Sequence, residues 1–149
     1  MLEFHACVTI RETYKAIEED NFGEIIKIIQ KKIEELKWNK PELKFLNGEG
    51  YIEFSVFANR KTGEIDELFD FFNFIAELAT GSYGLIYMLD DGNLNGKNNE
   101  FQVFSIFRGA LHIEKDNYLS PFVPVVEDVA EWKVAINIEF PSEWRNRRH

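Results

Sequence analysis

Gly81-Ser82-Tyr83-Gly84-Leu85-Ile86-Tyr87 reads as a turn feeding directly into a strand. From Tyr83 to Leu89 the chain is almost continuously apolar. That is the pattern of a strand covered on both sides or placed in the middle of a sheet. A loop rich in Asp, Asn and Gly follows from Asp90 to Asn99, and then a second strand from Phe101 to Phe107. There Phe101, Val103, Ser105 and Phe107 alternate with Gln102, Phe104, Ile106 and Arg108, a period of two. Gly109 permits a bulge or tight bend, and Ala110 to Ile113 extends the sheet. Everything upstream is expected to cover this hairpin.

The upstream chain begins with a strand predicted over 4–12, carrying Val8, Thr9 and Ile10. Asn21 with Glu24 three residues on forms a capping-box pattern. It opens an amphipathic helix whose apolar residues are Ile25, Ile26, Ile28, Ile29, Ile33 and Leu36. Asn39-Lys40-Pro41 ends that helix. Leu43 to Leu46 and Tyr51 to Ala58 are read as strands joined by the turn Asn47-Gly48-Glu49-Gly50, whose Asn-Gly pair is the strongest short hairpin signal. A second helix is predicted from Glu64 to Ala79. Ile65, Leu68, Phe69, Phe72, Ile75, Ala76 and Ala79 lie on one side, widened by Phe71 and Phe74. Gly81 stands where a C-terminal cap glycine belongs.

Downstream, the loop from Lys115 to Pro124 is pinned by Pro121 and Pro124 and carries Tyr118 and Phe122. Strict alternation from Trp132 to Phe140 predicts a further strand. A basic tail at 142–149 is expected to fray beyond a domain at 1–141. The order β-α-β-β-α-β-β-β implies an α+β fold: a mostly antiparallel sheet with two helices packed on one face. A ferredoxin-like core extended at its C-terminal end is the nearest familiar plan.

Composition excludes several classes. Apolar residues make up 45% and aromatics 15%, which is globular rather than disordered. No apolar run approaches the roughly 20 residues that span a membrane. Met1-Leu2-Glu3-Phe4-His5 lacks the basic and apolar regions of a secretory signal. Cys7 is the only cysteine, so there is no intrachain disulfide and the expected compartment is a reducing cytoplasm. The net charge is −9, and Thr62 to Glu131 holds 13 acidic side chains against Lys97, Arg108 and Lys115. Such a body repels nucleic-acid phosphates and attracts a basic protein.

No catalytic residue emerges. Ser82 lies between glycines, but the spacing and the helix-to-strand order are wrong for a nucleophile elbow. No phosphate-cradling glycine loop occurs. Asp90-Asp91-Gly92-Asn93-Leu94-Asn95 is faintly similar to a calcium loop, but the preceding helix and the closing Glu are missing. His5 and Cys7 have no partner at ligand spacing, and only the fold decides whether His5 and His112 approach across the sheet. Neither a metal nor a cofactor is therefore expected.

The block at 81–91 (Gly-Ser-Tyr-Gly-Leu-Ile-Tyr-Met-Leu-Asp-Asp) is similar to one in immunity protein seven of bacterial polymorphic toxin systems. Further blocks resemble that family in the same order: Asn99-Glu100-Phe101-Gln102-Val103, Arg108-Gly109, Leu119-Ser120-Pro121, Pro124 and Glu127-Asp128. The opening Val8-Thr9-Ile10-Arg11-Glu12-Thr13-Tyr14 is also similar. Phe122 departs, standing where relatives are expected to carry a small residue. The resemblance implies an α+β domain, without catalytic residues, that binds and silences a toxin encoded beside it. Many such toxins are nucleases with basic surfaces, which the acidic 62–131 region would suit.

On this reading Asp90, Asp91, Glu100, Asp116, Tyr118, Glu127 and Asp128 are the expected toxin contacts, with Tyr83 and Arg108 as further candidates. Hydrogen bonding within the fold is an equal explanation for those last two. The free chain is expected to be a monomer, with neither nucleic acid nor membrane as its partner. Two other classes compete. A small ligand-binding or enzymatic domain would need a deep pocket on the sheet face. A self-associating module would need an exposed strand edge.

Overall fold

The structure, a computed structural model, describes residues 1–15, 21–37 and 39–118. Its elements are β1 (Leu2–Ile10), α1 (Phe22–Glu35), β2 (Glu42–Leu46), β3 (Glu49–Ala58), α2 (Gly63–Leu78), β4 (Tyr83–Asp90), β5 (Gln102–Phe107) and β6 (Ala110–Lys115). The strands form one sheet in the order β2-β3-β1-β4-β5-β6, with every neighbouring pair antiparallel. The first four strands and both helices follow the β-α-β-β-α-β plan. β5 and β6 continue the sheet beyond β4, as expected. The predicted strand at Trp132–Phe140 and the basic tail lie outside the described residues.

Period-two patterning explains how the sheet faces its core. Along β1, Leu2, Phe4, Ala6, Val8 and Ile10 are buried, and their neighbours Glu3, His5 and Cys7 point to the other side. Ile52, Phe54 and Val56 of β3, with Ile86 and Met88 of β4, join the buried face. Both helices supply the cover: Ile25, Ile26 and Ile29 from α1, and Ile65, Leu68, Phe71, Phe72, Ile75 and Ala76 from α2. Phe4 sits among Phe54, Phe69 and Phe72, with ring centroids 6.0, 5.5 and 6.2 Å away. Burying each such ring stabilises the fold by about 1.5–3 kcal/mol.

The two short hairpins share one device. Asn47 and Gly48 both have positive φ, 53° and 85°, and join the paired Leu46 and Glu49. Arg108 and Gly109 do the same at 50° and 80° between Phe107 and Ala110. Two successive residues with positive φ make the turn whose twist matches the strands it joins. Gly109 thus completes a turn rather than a bulge, and its α-carbon faces Thr80, leaving 3.3 Å between an added Cβ and Cγ2.

Several local expectations change. Asn21 stands at the N-cap of α1, but its side chain makes no cap bond. Instead Glu12 reaches across, accepting the Asn21 backbone N–H at 2.9 Å. Ile28 is exposed rather than part of the buried stripe. β4 is central but not covered on both sides, since Tyr83 and Leu85 face outward. Gly81 does not cap α2 with a left-handed residue, because the helix ends at Leu78 and Gly81 has no positive φ. No helix among the described residues is long and apolar enough to cross a membrane.

Candidate functional site

The expected contact residues separate into two groups at opposite ends of β4. Asp90 ends that strand opposite Leu2, and Tyr83 begins it opposite Thr9. At ~3.3 Å per residue the two are about 23 Å apart. Arg108 lies at the Tyr83 end, in the β5–β6 turn. Glu127 and Asp128 are outside the described residues.

Asp90, Asp91, Glu100, Asp116 and Tyr118 gather where β4 ends, β5 begins and β6 ends. Asp90 is 8% exposed, and its Oδ1 accepts the Gly92 N–H at 3.1 Å. That makes Asp90 a loop organiser rather than a free surface charge. Asp91 forms an ion pair with the N-terminal amine of Met1, and its N–H donates to the Met1 carbonyl at 3.1 Å. Asn93 Oδ1 accepts the Asn95 N–H at 2.9 Å. Within the segment that faintly resembles a calcium loop, the Asp90 and Asn93 oxygens thus shape the loop itself. Asp116 Oδ1 accepts the Tyr118 N–H at 2.9 Å, and the Tyr118 side chain is exposed. A groove of about 440 Å³ runs here over Phe104 and Ile113, with Glu100 and Asp116 along it beside Lys97 and Lys115. Gln102 also lines it, and its amide nitrogen has no hydrogen-bond partner among the described residues.

The sheet face away from the helices is the second surface. Tyr51, Thr9 and Tyr83 form one row across it, and Glu53, Cys7, Leu85, Ser105 and His112 form the next. Ser55, His5, Tyr87, Val103 and Glu114 form a third. Phe107, two residues on from Ser105, shares this face and stacks on His112 at 4.0 Å. The hydroxyl of Tyr51 donates to Glu49 at 2.7 Å. That bond, then burial and the Glu49 charge, hold the Tyr51 phenol above the ordinary tyrosine range. Lys44 is likewise raised, by its bonds to Glu53 at 2.7 Å and Glu42 at 3.3 Å. Sequence reasoning missed Leu85, Phe107 and Cys7 as surface residues. Their apolar character reads as core, and only the alternation of their strands hints otherwise.

The sheet face holds a shallow depression of about 400 Å³ at His5, Cys7, Glu53, Ser55, Leu85 and Tyr87. His5 is spoken for, with Nδ1 2.9 Å from Ser55 Oγ and Nε2 2.6 Å from Glu3 Oε1. His112 lies three strands away, about 14 Å at ~4.8 Å per strand, so the two histidines do not meet. No group of three or more His, Cys, Asp or Glu among the described residues is placed to hold a metal ion.

The Gly81–Gly84 stretch has a structural explanation. A Cβ on Gly81 would collide with the backbone of Thr13, and one on Gly84 with the backbone of Cys7 and Val8. Ser82, between them, is buried and bonds to the backbone of Arg11. The block holds the start of β4 against the end of β1.

Among curated proteins and among solved structures, nothing matches. A family model does: the one described as Immunity protein 7 matches residues 1–128. That span takes in β1 to β6, both surfaces and the Gly81–Gly84 block, and with it the chain belongs to the immunity protein 7 family.

Proposed function

We propose that this immunity protein silences its toxin by stoichiometric blockade, binding one-to-one over a basic surface of a nuclease effector in the cytoplasm. At one end of the sheet Asp90, Asp91, Glu100, Glu114 and Asp116 outnumber Lys97, Lys115 and the Met1 amine, and this acidic excess, on a chain of net charge −9, supports the reading. A nuclease must present lysines and arginines to phosphates, and carboxylates that meet those cations exclude the substrate. The acidic end then accelerates encounter, while apolar anchors elsewhere set the lifetime of the complex. No step of chemistry is asked of this chain.

The test is titration of the toxin domain encoded by the neighbouring gene. Its nuclease activity should fall linearly with added protein and reach zero at a one-to-one ratio. Activity that survives in excess protein refutes blockade. Inhibition far below stoichiometry points instead to turnover by this chain.

A further inference from the structure

Tyr83, Leu85 and Phe107 are 50, 45 and 42% exposed, on the adjacent strands β4 and β5 and on the face away from both helices. Cys7, also exposed, lies directly across from Leu85. β1, β4 and β5 are interior strands, so their backbone groups are already paired and the face offers side chains only. Carboxylates flank this strip: Glu49 and Glu53 on the β3 side, Glu114 on the β6 side. Lys44, on the same face, is already held between Glu42 and Glu53.

Aromatic and aliphatic side chains within a charged margin are the arrangement of an interface centre and its rim, and along the two sides of this strip the margin is carboxylate-rich, with Arg108 at its Tyr83 end. The sign of the margin selects the occupant. A second copy of this chain, at net charge −9, would bring carboxylate against carboxylate. A cationic partner would gain along the β3 and β6 sides, where Glu49, Glu53 and Glu114 lie.

We propose that this strip is the anchoring site for the toxin, which lays a cationic surface on it and seats apolar stems or guanidinium planes over Tyr83, Leu85 and Phe107. The assignment rests on the blockade reading and adds to it. It puts the binding strength on the sheet face and leaves the acidic end of β4 to steer. An interface of about 800 Å² per partner is wide enough to reach both.

The test uses the full chain with Leu85→Lys and, separately, Tyr83→Lys, titrated against the toxin domain of the neighbouring gene. A lysine at these half-exposed positions can reach solvent in the free chain, yet it repels a cationic partner. Each variant should melt within a few degrees of the unaltered chain and bind at least about 30-fold more weakly. Ile28→Lys on the exposed side of α1 should leave affinity unchanged. If Leu85→Lys fails to fold, Tyr83→Lys at the start of the strand carries the same test. Affinity kept within about 3-fold, against the 30-fold expected of an anchor, overturns the anchoring site while leaving blockade standing. A free chain that is a dimer, and becomes monomeric with either lysine while still binding toxin, assigns the strip to a second copy and also overturns it. Failure of the unaltered chain to bind the toxin removes the blockade reading itself.

Discussion

Ser82 Oγ accepts the backbone N–H of Arg11 at 3.2 Å and donates to the Arg11 carbonyl at 3.4 Å. One hydroxyl thereby ties together residues 71 apart in sequence. Ser82 is 1% exposed, so water does not easily replace it. Ser82→Ala should cost about 1–3 kcal/mol and lower the melting temperature by roughly 3–10 °C. Gly84→Ala should cost more, because its methyl group would run into backbone rather than into a side chain that can move. Thermal unfolding followed by circular dichroism measures both. An unmoved melt for Ser82→Ala would mean that this link adds nothing to stability.

Arg108 separates a structural role from a contact role. Its φ of 50° is a left-handed conformation that costs an ordinary residue about 1–2 kcal/mol and costs Asn less. Arg108→Asn is therefore expected to raise the melting temperature by about 2–4 °C while leaving toxin affinity unchanged. A drop in affinity without a change in melt would instead place the guanidinium in the interface.

Much of the architecture was legible because each clue had one physical cause. Asn47-Gly48 announced its hairpin, since both residues tolerate positive φ. A loose alternation announced β1 and a clearer one β3, and the apolar density of Tyr83–Leu89 announced a central strand. The Arg108-Gly109 turn was harder to read because arginine is not a usual left-handed residue. Glu12 capping Asn21 was invisible, since it depends on a contact across the chain rather than on local spacing. The open face was hidden for a similar reason. Leu85 and Phe107 look like core residues until it is known that both helices cover the opposite side of the sheet. Five of the nine expected contact residues did fall together, because the antiparallel order brings the end of β4, the start of β5 and the end of β6 to one edge.

Tyr51 offers a pH readout. Its hydrogen bond to Glu49 favours the neutral phenol, so the folded group titrates above the ordinary tyrosine value. A raised folded pKa means that this contribution to stability is fully present below the unfolded pKa of about 10. It is lost as pH rises through the folded value. Tyrosine ring-carbon NMR should show one residue deprotonating later than the others. Glu49→Gln should return it towards the ordinary range, since the carboxylate charge that opposes phenolate is gone. Titration of Tyr51 unchanged by Glu49→Gln would assign the shift to burial instead.

Steering and anchoring predict different kinetic signatures for the two surfaces. Glu100 is exposed at the groove beside Lys97, on the acidic end of the sheet. Glu100→Lys should slow association with the toxin by about 2–5-fold at low salt and leave dissociation almost unchanged. The difference should shrink near 0.15 M salt, where the screening length is about 8 Å. Leu85→Lys should act mainly on dissociation and keep most of its effect in salt, because a buried anchor is lost rather than a long-range attraction. Surface-immobilised toxin with both variants at two ionic strengths separates the two. If Glu100→Lys accelerates dissociation as strongly as Leu85→Lys does, the acidic end is part of the sealed contact and the division between encounter and anchoring does not hold.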